Sequence, residues 1–235
     1  MRKLTVFLAV VALGTTVGAS FAGAGPSGDL KKFCKANVAL DAAPEGPTPR
    51  LIERYRSTAP PEIAETVDSA VTAFEELGEG AFEDEAFLAS LREIDQFVLD
   101  NCDYEQVDVT MEDFAFSGIP SEVEKGTVAF NLVNEGAELH EFVLVRLKGD
   151  ATLDDLLELP EDATEEDFAE LASEVRGGGF AAPGEPDLAL VNFKRTGNYV
   201  AVCFIPVGST PDAPDGGTGP PHFTEGMAAE FEVTS

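Results

Sequence analysis

Four side chains in the C-terminal half of this 235-residue chain carry donor atoms that suit a single metal ion: His140, Cys203, His222 and Met227. The two histidines are the only ones in the chain, and Met227 is one of two methionines beyond Met1. Two imidazoles, a thiolate and a thioether are the donors that copper needs to exist in both of its common oxidation states. Soft sulfur suits Cu(I), imidazole accepts Cu(II), and a His2Cys plane with a weak axial Met serves both. His222 and Met227 are separated by Phe-Thr-Glu-Gly, so one short turn can aim both at one point. Zinc fits less well, because thioether is a rare ligand for it. With every position filled by protein, no site stays open for a substrate. One copper ion used for one-electron transfer, not enzymatic turnover, is the expectation.

Each of these residues also has a plainer role. A histidine in a turn is usually surface, and Met227 beside Ala229 and Phe231 suits a core. Cys203, in phase with Tyr199 and Ala201, suits a small buried hydrophobe. The conjunction favours metal, since both histidines, a cysteine and a rare methionine fall where one fold can join them. Phe142, Phe204 and Phe223 flank the donors and are expected to exclude water. Covalent catalysis by Cys203 would need a histidine base and an orienting partner, and the neighbouring methionine points to metal instead.

Three cysteines leave one without a mate. Cys34 and Cys102 bracket a helical region, so they are the economical disulfide, and Cys203 remains a free thiol. Arg2, Lys3, the apolar run from Leu4 to Val17 and the small residues Ala22-Gly-Ala24 read as a secretory leader over residues 1–24. That run is too short and small-residue-rich for a membrane span. The expectation is a secreted, extracytoplasmic protein with no stable membrane insertion.

Two kinds of element must position these donors. Residues 25–105 read as a small helical bundle. Leu30, Cys34 and Val38 share one helix face, Pro47–Tyr55 suggest a second helix, Ile63, Val67, Val71 and Phe74 mark a third, and Phe87, Leu91, Ile94 and Val98 a fourth. From Val107 the apolar period becomes two, and residues 106–235 read as strands: Val107–Met111, Val128–Leu132, His140–Leu147, Leu188–Phe193, Tyr199–Phe204 and Ala228–Val233. Turns such as Asn134-Glu-Gly136 and Thr196-Gly-Asn198 separate them. Asp150–Arg176 reads as an acidic helical insertion, with Thr164 as a candidate cap and Phe168, Leu171, Ala172 and Val175 on one face. Gly177-Gly-Gly179 then reads as a linker, so that 150–179 is insertion plus linker. The glycines lack the strand-turn-helix setting of a phosphate-binding loop. The class is α+β in two domains: a helical bundle, then a Greek-key β-sandwich.

Three segments of the second domain resemble the cupredoxin family of plastocyanin-like blue copper proteins: Asn134-Glu-Gly-Ala-Glu-Leu-His140-Glu-Phe142, Gly197-Asn-Tyr-Val-Ala-Val-Cys203-Phe and Pro221-His222-Phe-Thr-Glu-Gly226-Met227. The resemblance spans Val107–Ser235 and leaves the helices outside it. It implies a type-1-like mononuclear copper site, with His140, Cys203 and His222 as strong ligands and Met227 as the axial one. It also implies a protein redox partner whose identity the sequence does not specify. The same ligands would serve extracytoplasmic copper storage or trafficking, and the fold without metal would serve as an interaction module. One departure is the loop Val207–Pro220, where family members place only a few residues between cysteine and histidine. Closure entropy rises slowly with length, so this Pro/Gly-rich loop is expected to bulge outside the sandwich and to be dispensable for metal binding. A second departure is Glu141, which replaces the residue usual in plastocyanins.

The formal charge of −29 is spread along the chain. Such a polyanion repels nucleic acid and anionic lipid, so neither is an expected partner. Solubility in a salty medium is the simplest use of that charge, and docking of a basic partner is the more specific one.

Overall fold

A computed structural model of the chain describes residues 29–43, 46–160, 165–211, 213–214 and 216–235. The expected leader, residues 1–24, and the candidate cap Thr164 lie outside the described residues. The chain divides into two compact units, with the division between Cys102 and Asp103.

The first unit is helical: α1 (Leu30–Asp41), α2 (Pro49–Thr58), α3 (Ala64–Leu77), a 3₁₀ turn (Gly78–Glu83) and α4 (Glu85–Asn101). Local chemistry sets the starts. Asp29 accepts from the Lys32 amide, Thr48 from the Leu51 amide, and Asp84 from the Phe87 amide, which satisfies donors that the first turn leaves free. Pro49 sits in the first turn of α2, where its missing N–H costs nothing. Phe33 stacks on Tyr55 with ring centroids 5.1 Å apart, and Ile63, Val67, Ile94 and Val98 complete the core. Leu30, expected on the buried face of α1, is 39% exposed, and Phe33 takes its place. Leu30 is the first residue of α1, whereas Cys34 and Val38 further along that face are buried. Cys34 in α1 is joined to Cys102, just past α4. In the chain-entropy model a bridge over 68 residues stabilises by roughly 4 kcal/mol.

The second unit is a sandwich of two sheets. One has the order β2-β1-β4-β7, built from β1 (Glu105–Glu112), β2 (Ala115–Ser117), β4 (Thr127–Asn134) and β7 (Pro186–Asn192). The other has the order β3-β9-β8-β5-β6, built from β3 (Glu122–Glu124), β5 (His140–Leu147), β6 (Ala172–Ala181), β8 (Gly197–Val202) and β9 (Ala228–Thr234). The chain switches sheets at β2–β3, β3–β4, β4–β5, β6–β7 and β7–β8, as Greek-key sandwiches do. Met111, Phe130, Leu132, Phe142, Leu144 and Tyr199 fill the space between the sheets.

The insertion departs from its expected form. It carries two short helices, α5 (Leu153–Leu157) and α6 (Glu165–Leu171), but from Ala172 the chain is a strand. Gly177–Gly179 therefore belong to β6, paired against β5, and not to a linker. Close approach is the reason: a Cβ on Gly179 would collide with Leu132 Cδ1, and one on Gly178 would lie 2.9 Å from the Phe142 carbonyl oxygen. Glycine lowers strand propensity in isolation, which hides this strand in the sequence. Leu156 of α5 packs with Val145, Leu147, Val200 and Val202 on the outer face of the second sheet. That cover explains why β5 reads as a nearly continuous apolar run: both of its faces meet apolar neighbours.

Candidate metal centre

The donors gather at one end of the second sheet because of strand direction. β5 and β8 are antiparallel, with Val143 opposite Val202, so His140 at the start of β5 and Cys203 just past β8 share that end. β9 runs antiparallel to β8 with Ala228 opposite Val202, which puts Met227 there too. The Cys203 amide donates to the Met227 carbonyl at 3.2 Å, and the Met227 amide donates to the His222 carbonyl at 3.0 Å. His222 opens a 3₁₀ turn (His222–Glu225) that ends at Gly226, and the Phe223 amide donates back to the Cys203 carbonyl at 2.8 Å. All four candidate ligands have fully buried side chains.

His140, Cys203 and His222 offer ligand atoms that all lie within 4.8 Å of one another. The two Nδ1 atoms are 3.2 Å apart, and His222 Nδ1 is 3.4 Å from Cys203 Sγ. Met227 is buried in the same apolar cluster as Cys203.

The outward nitrogens decide the chemistry. His140 Nε2 lies 3.1 Å from Asp113 Oδ1, and His222 Nε2 lies 3.1 Å from Glu138 Oε2. An ionised carboxylate only accepts, so each Nε2 is the donor of its pair, and a ring protonated there alone turns an Nδ1 lone pair inward. Burial, with His222 alongside, pushes the His140 pKa below its ordinary value and keeps the ring neutral. Burial alone would raise Asp113. The amides of Glu138 and Ala137 and the His140 ring outweigh it, and the carboxyl ends below the usual range. Burial likewise pushes the Cys203 thiol up to about 12, against the opposing Glu141 amide, which donates to Sγ at 3.5 Å.

Two inward lone pairs and a sulfur thus face one another with no donor of their own to share except the thiol proton. A cation relieves that arrangement. Donor atoms bound to one first-row ion at about 2.0–2.3 Å lie about 3–4 Å apart. The two pairs that include His222 have that spacing, 3.2 and 3.4 Å, and the full set lies within 4.8 Å, so the residues fit copper. The buried surround agrees with the same ion.

Several contributors escaped the sequence reading. Asp113 sits in the turn between β1 and β2, and its Oδ1 also accepts from the Ala137 and Glu138 amides at 2.9 and 3.1 Å. Next to it, Phe114 has φ 67°, the one positive value at a non-glycine among the described residues. Such a conformation costs energy and marks functional turns. It lays the Phe114 ring edge-on to His222 with centroids 5.4 Å apart. Gly136 is needed for close approach: a Cβ there would lie 2.5 Å from both Asp113 Oδ1 and His140 Nε2. Asn134, fully buried, binds the Glu138 and Ala181 carbonyls and accepts from the Gly136 amide, which fixes the turn ahead of His140. Only the Asn-Glu-Gly turn signal pointed here. Phe142 lies in the core, whereas Phe204 and Phe223 pack on the outer cluster with centroids 5.3 Å apart.

The long loop also differs from expectation. It lies outside the sandwich, but it is a closed clasp tied to the centre. The Val207 amide donates to the Pro220 carbonyl at 2.9 Å and the Gly219 amide to the Val207 carbonyl at 3.1 Å. The Gly208 amide donates to Glu138 Oε2 at 2.6 Å, the same oxygen that holds His222. Glu141 Oε1 accepts from the Phe204 amide at 2.8 Å, which joins the two ligand strands. Burial raises the Glu141 pKa.

No protein-family model matches the sequence, and no curated protein matches it. Comparison with solved structures finds auracyanins and multicopper oxidases. The dithionite-reduced auracyanin from Roseiflexus castenholzii is 16% identical over 55% of this chain and 97% of its own, with TM-score 0.33. Auracyanin A from Chloroflexus aurantiacus, described as a blue copper protein, is 17% identical over 55% of this chain and 98% of its own, with TM-score 0.35. A multicopper oxidase from Campylobacter jejuni, described as a metallo-oxidase, is 12% identical over 56% of this chain and 30% of its own, with TM-score 0.33. Likenesses this distant leave the chemistry of the centre to its own residues.

Proposed function

We propose that this chain is an exported, cupredoxin-like copper protein that transfers single electrons to or from a protein partner. His140 and His222, through Nδ1, and Cys203, through Sγ, would hold one copper ion, and the Met227 thioether would be a fourth, weaker donor. The observation that carries this reading is the buried convergence of those three atoms with both Nε2 atoms anchored to carboxylates. Copper in this cage supplies one-electron oxidation and reduction. The chain's own residues hold the donors fixed and exclude water, and four protein ligands leave no position for a substrate. The Cys34–Cys102 disulfide supports an oxidising compartment. Among the described residues no helix is long and apolar enough to cross a membrane.

The test is the visible spectrum of protein loaded with Cu(II). An intense thiolate-to-copper band that ascorbate bleaches is expected, and it should vanish in Cys203→Ser. An unchanged band in that variant removes the assignment. Tight copper uptake without electron exchange with any mediator would make storage the function instead.

A further inference from the structure

Asp113 and Glu138 do more than fill hydrogen-bond positions. They come from different turns, 25 residues apart in the chain, yet each places one oxygen 3.1 Å from the Nε2 of a different histidine. Both are built in. Asp113 Oδ1 is gripped by two backbone amides, and Glu138 Oε2 by the Gly208 amide. Their side chains are 36% and 24% exposed, whereas both rings are fully buried. The low-dielectric side of each contact therefore faces the centre.

We propose that Asp113 and Glu138 are positioning residues that set the oxidation-state preference of the centre and favour Cu(II) over Cu(I). The inference rests on the copper reading above and deepens it. Two effects act in one direction. A carboxylate accepting from Nε2–H fixes the tautomer and makes Nδ1 a stronger base, which binds the harder, doubly charged ion more tightly. The charge count agrees: thiolate and two carboxylates total three negative charges, which a dication offsets better than a monocation. Glu138 is the less exposed of the two and so the less screened. Its removal should have the larger effect.

The test uses the full chain and the variants Asp113→Asn, Glu138→Gln and the double variant. Cu(II) and Cu(I) dissociation constants are measured by competition with chelators of known affinity. Each substitution should raise the Cu(II)-to-Cu(I) ratio of dissociation constants about tenfold or more. That corresponds to a midpoint potential about 59 mV higher per tenfold. A second readout needs no metal: ¹⁵N NMR of the imidazoles in metal-free protein. Both wild-type rings should be protonated at Nε2, and the ring facing the altered carboxylate should become a tautomer mixture. Wild-type protein that shows the thiolate band while the variants keep its ratio within twofold overturns this inference and leaves the copper reading intact. Wild-type protein without the band overturns both. If the double variant does not fold, the single variants decide by the same ratio.

Discussion

Glu138 Oε2 accepts from His222 Nε2 at 3.1 Å and from the Gly208 amide at 2.6 Å, so one carboxylate oxygen couples the buried His222 ring to the long loop. Loop and ligand are therefore one mechanical unit, although 14 residues of proline- and glycine-rich chain from Val207 to Pro220 separate Cys203 and Phe204–Pro206 from Pro221 and His222.

That coupling reverses the expectation for a shortened loop. Replacing Val207–Pro220 by a few residues removes the Gly208 donor and lets the Glu138 side chain swing into water. Cu(II) affinity should fall about tenfold or more, the usual cost of losing a partner behind a ligating histidine. Competition titration measures it, with circular dichroism to verify the fold. Affinity equal to that of the intact chain would show that Glu138 holds His222 without help from the loop.

Copper uptake should depend on pH through the thiol. Its pKa is pushed up to about 12 by burial, so the metal must displace the Cys203 proton across the neutral range. Affinity should rise about tenfold per pH unit between about pH 7 and 9, one proton being released per ion. His140 is shifted below its ordinary 6.5, so it stays neutral there and adds no slope. Only at lower pH does its protonation oppose binding and steepen the dependence. Asp113, shifted downward, remains ionised throughout. Titrations at four or five pH values test this, and a flat profile near neutrality would show that the thiol is already ionised.

The three converging side chains, His140, Cys203 and His222, were legible as candidate donors from residue type, since histidine is scarce and Cys203 follows a strongly apolar strand. Their supporting carboxylates were not. Asp113 and Glu138 are two of 44 acidic residues, and nothing local separates them from a solvated surface. They are defined by pairings 27 and 84 residues long that only the sheet topology creates. Strands β2 and β3 are three residues each, too short for alternation to register. β6 was hidden by its glycines, whose value lies in the space they leave for Leu132 and Phe142. Helix positions were easier, because caps and apolar period act within a few residues of each other.

The disulfide should matter to stability and not to the metal. Cys34→Ala with Cys102→Ala should lower the stability of the helical unit by about 2–5 kcal/mol. The thiolate-to-copper band should persist, because its donors all belong to the second unit. Denaturant unfolding followed by far-UV circular dichroism, alongside the visible spectrum, separates the two effects. Loss of the band in folded protein would mean that the centre depends on the integrity of the helical unit.

Gly136 offers the sharpest probe of the geometry. Its backbone is not in the left-handed region, so Gly136→Ala carries no conformational strain of that kind. The added methyl would nevertheless lie 2.5 Å from Asp113 Oδ1 and 2.5 Å from His140 Nε2, closer than nonbonded atoms approach. Either the carboxylate or the ring must move, and the hydrogen bond between them breaks. Overpacking of this kind costs about 1–3 kcal/mol, and a displaced His140 should weaken Cu(II) binding about tenfold or more. Gly80→Ala is the matched control, since nothing lies within 4 Å of its added methyl. Thermal melts and copper titrations of the two variants give the comparison. Gly136→Ala with wild-type affinity would show that the Asp113–His140 contact is not what orients the ring.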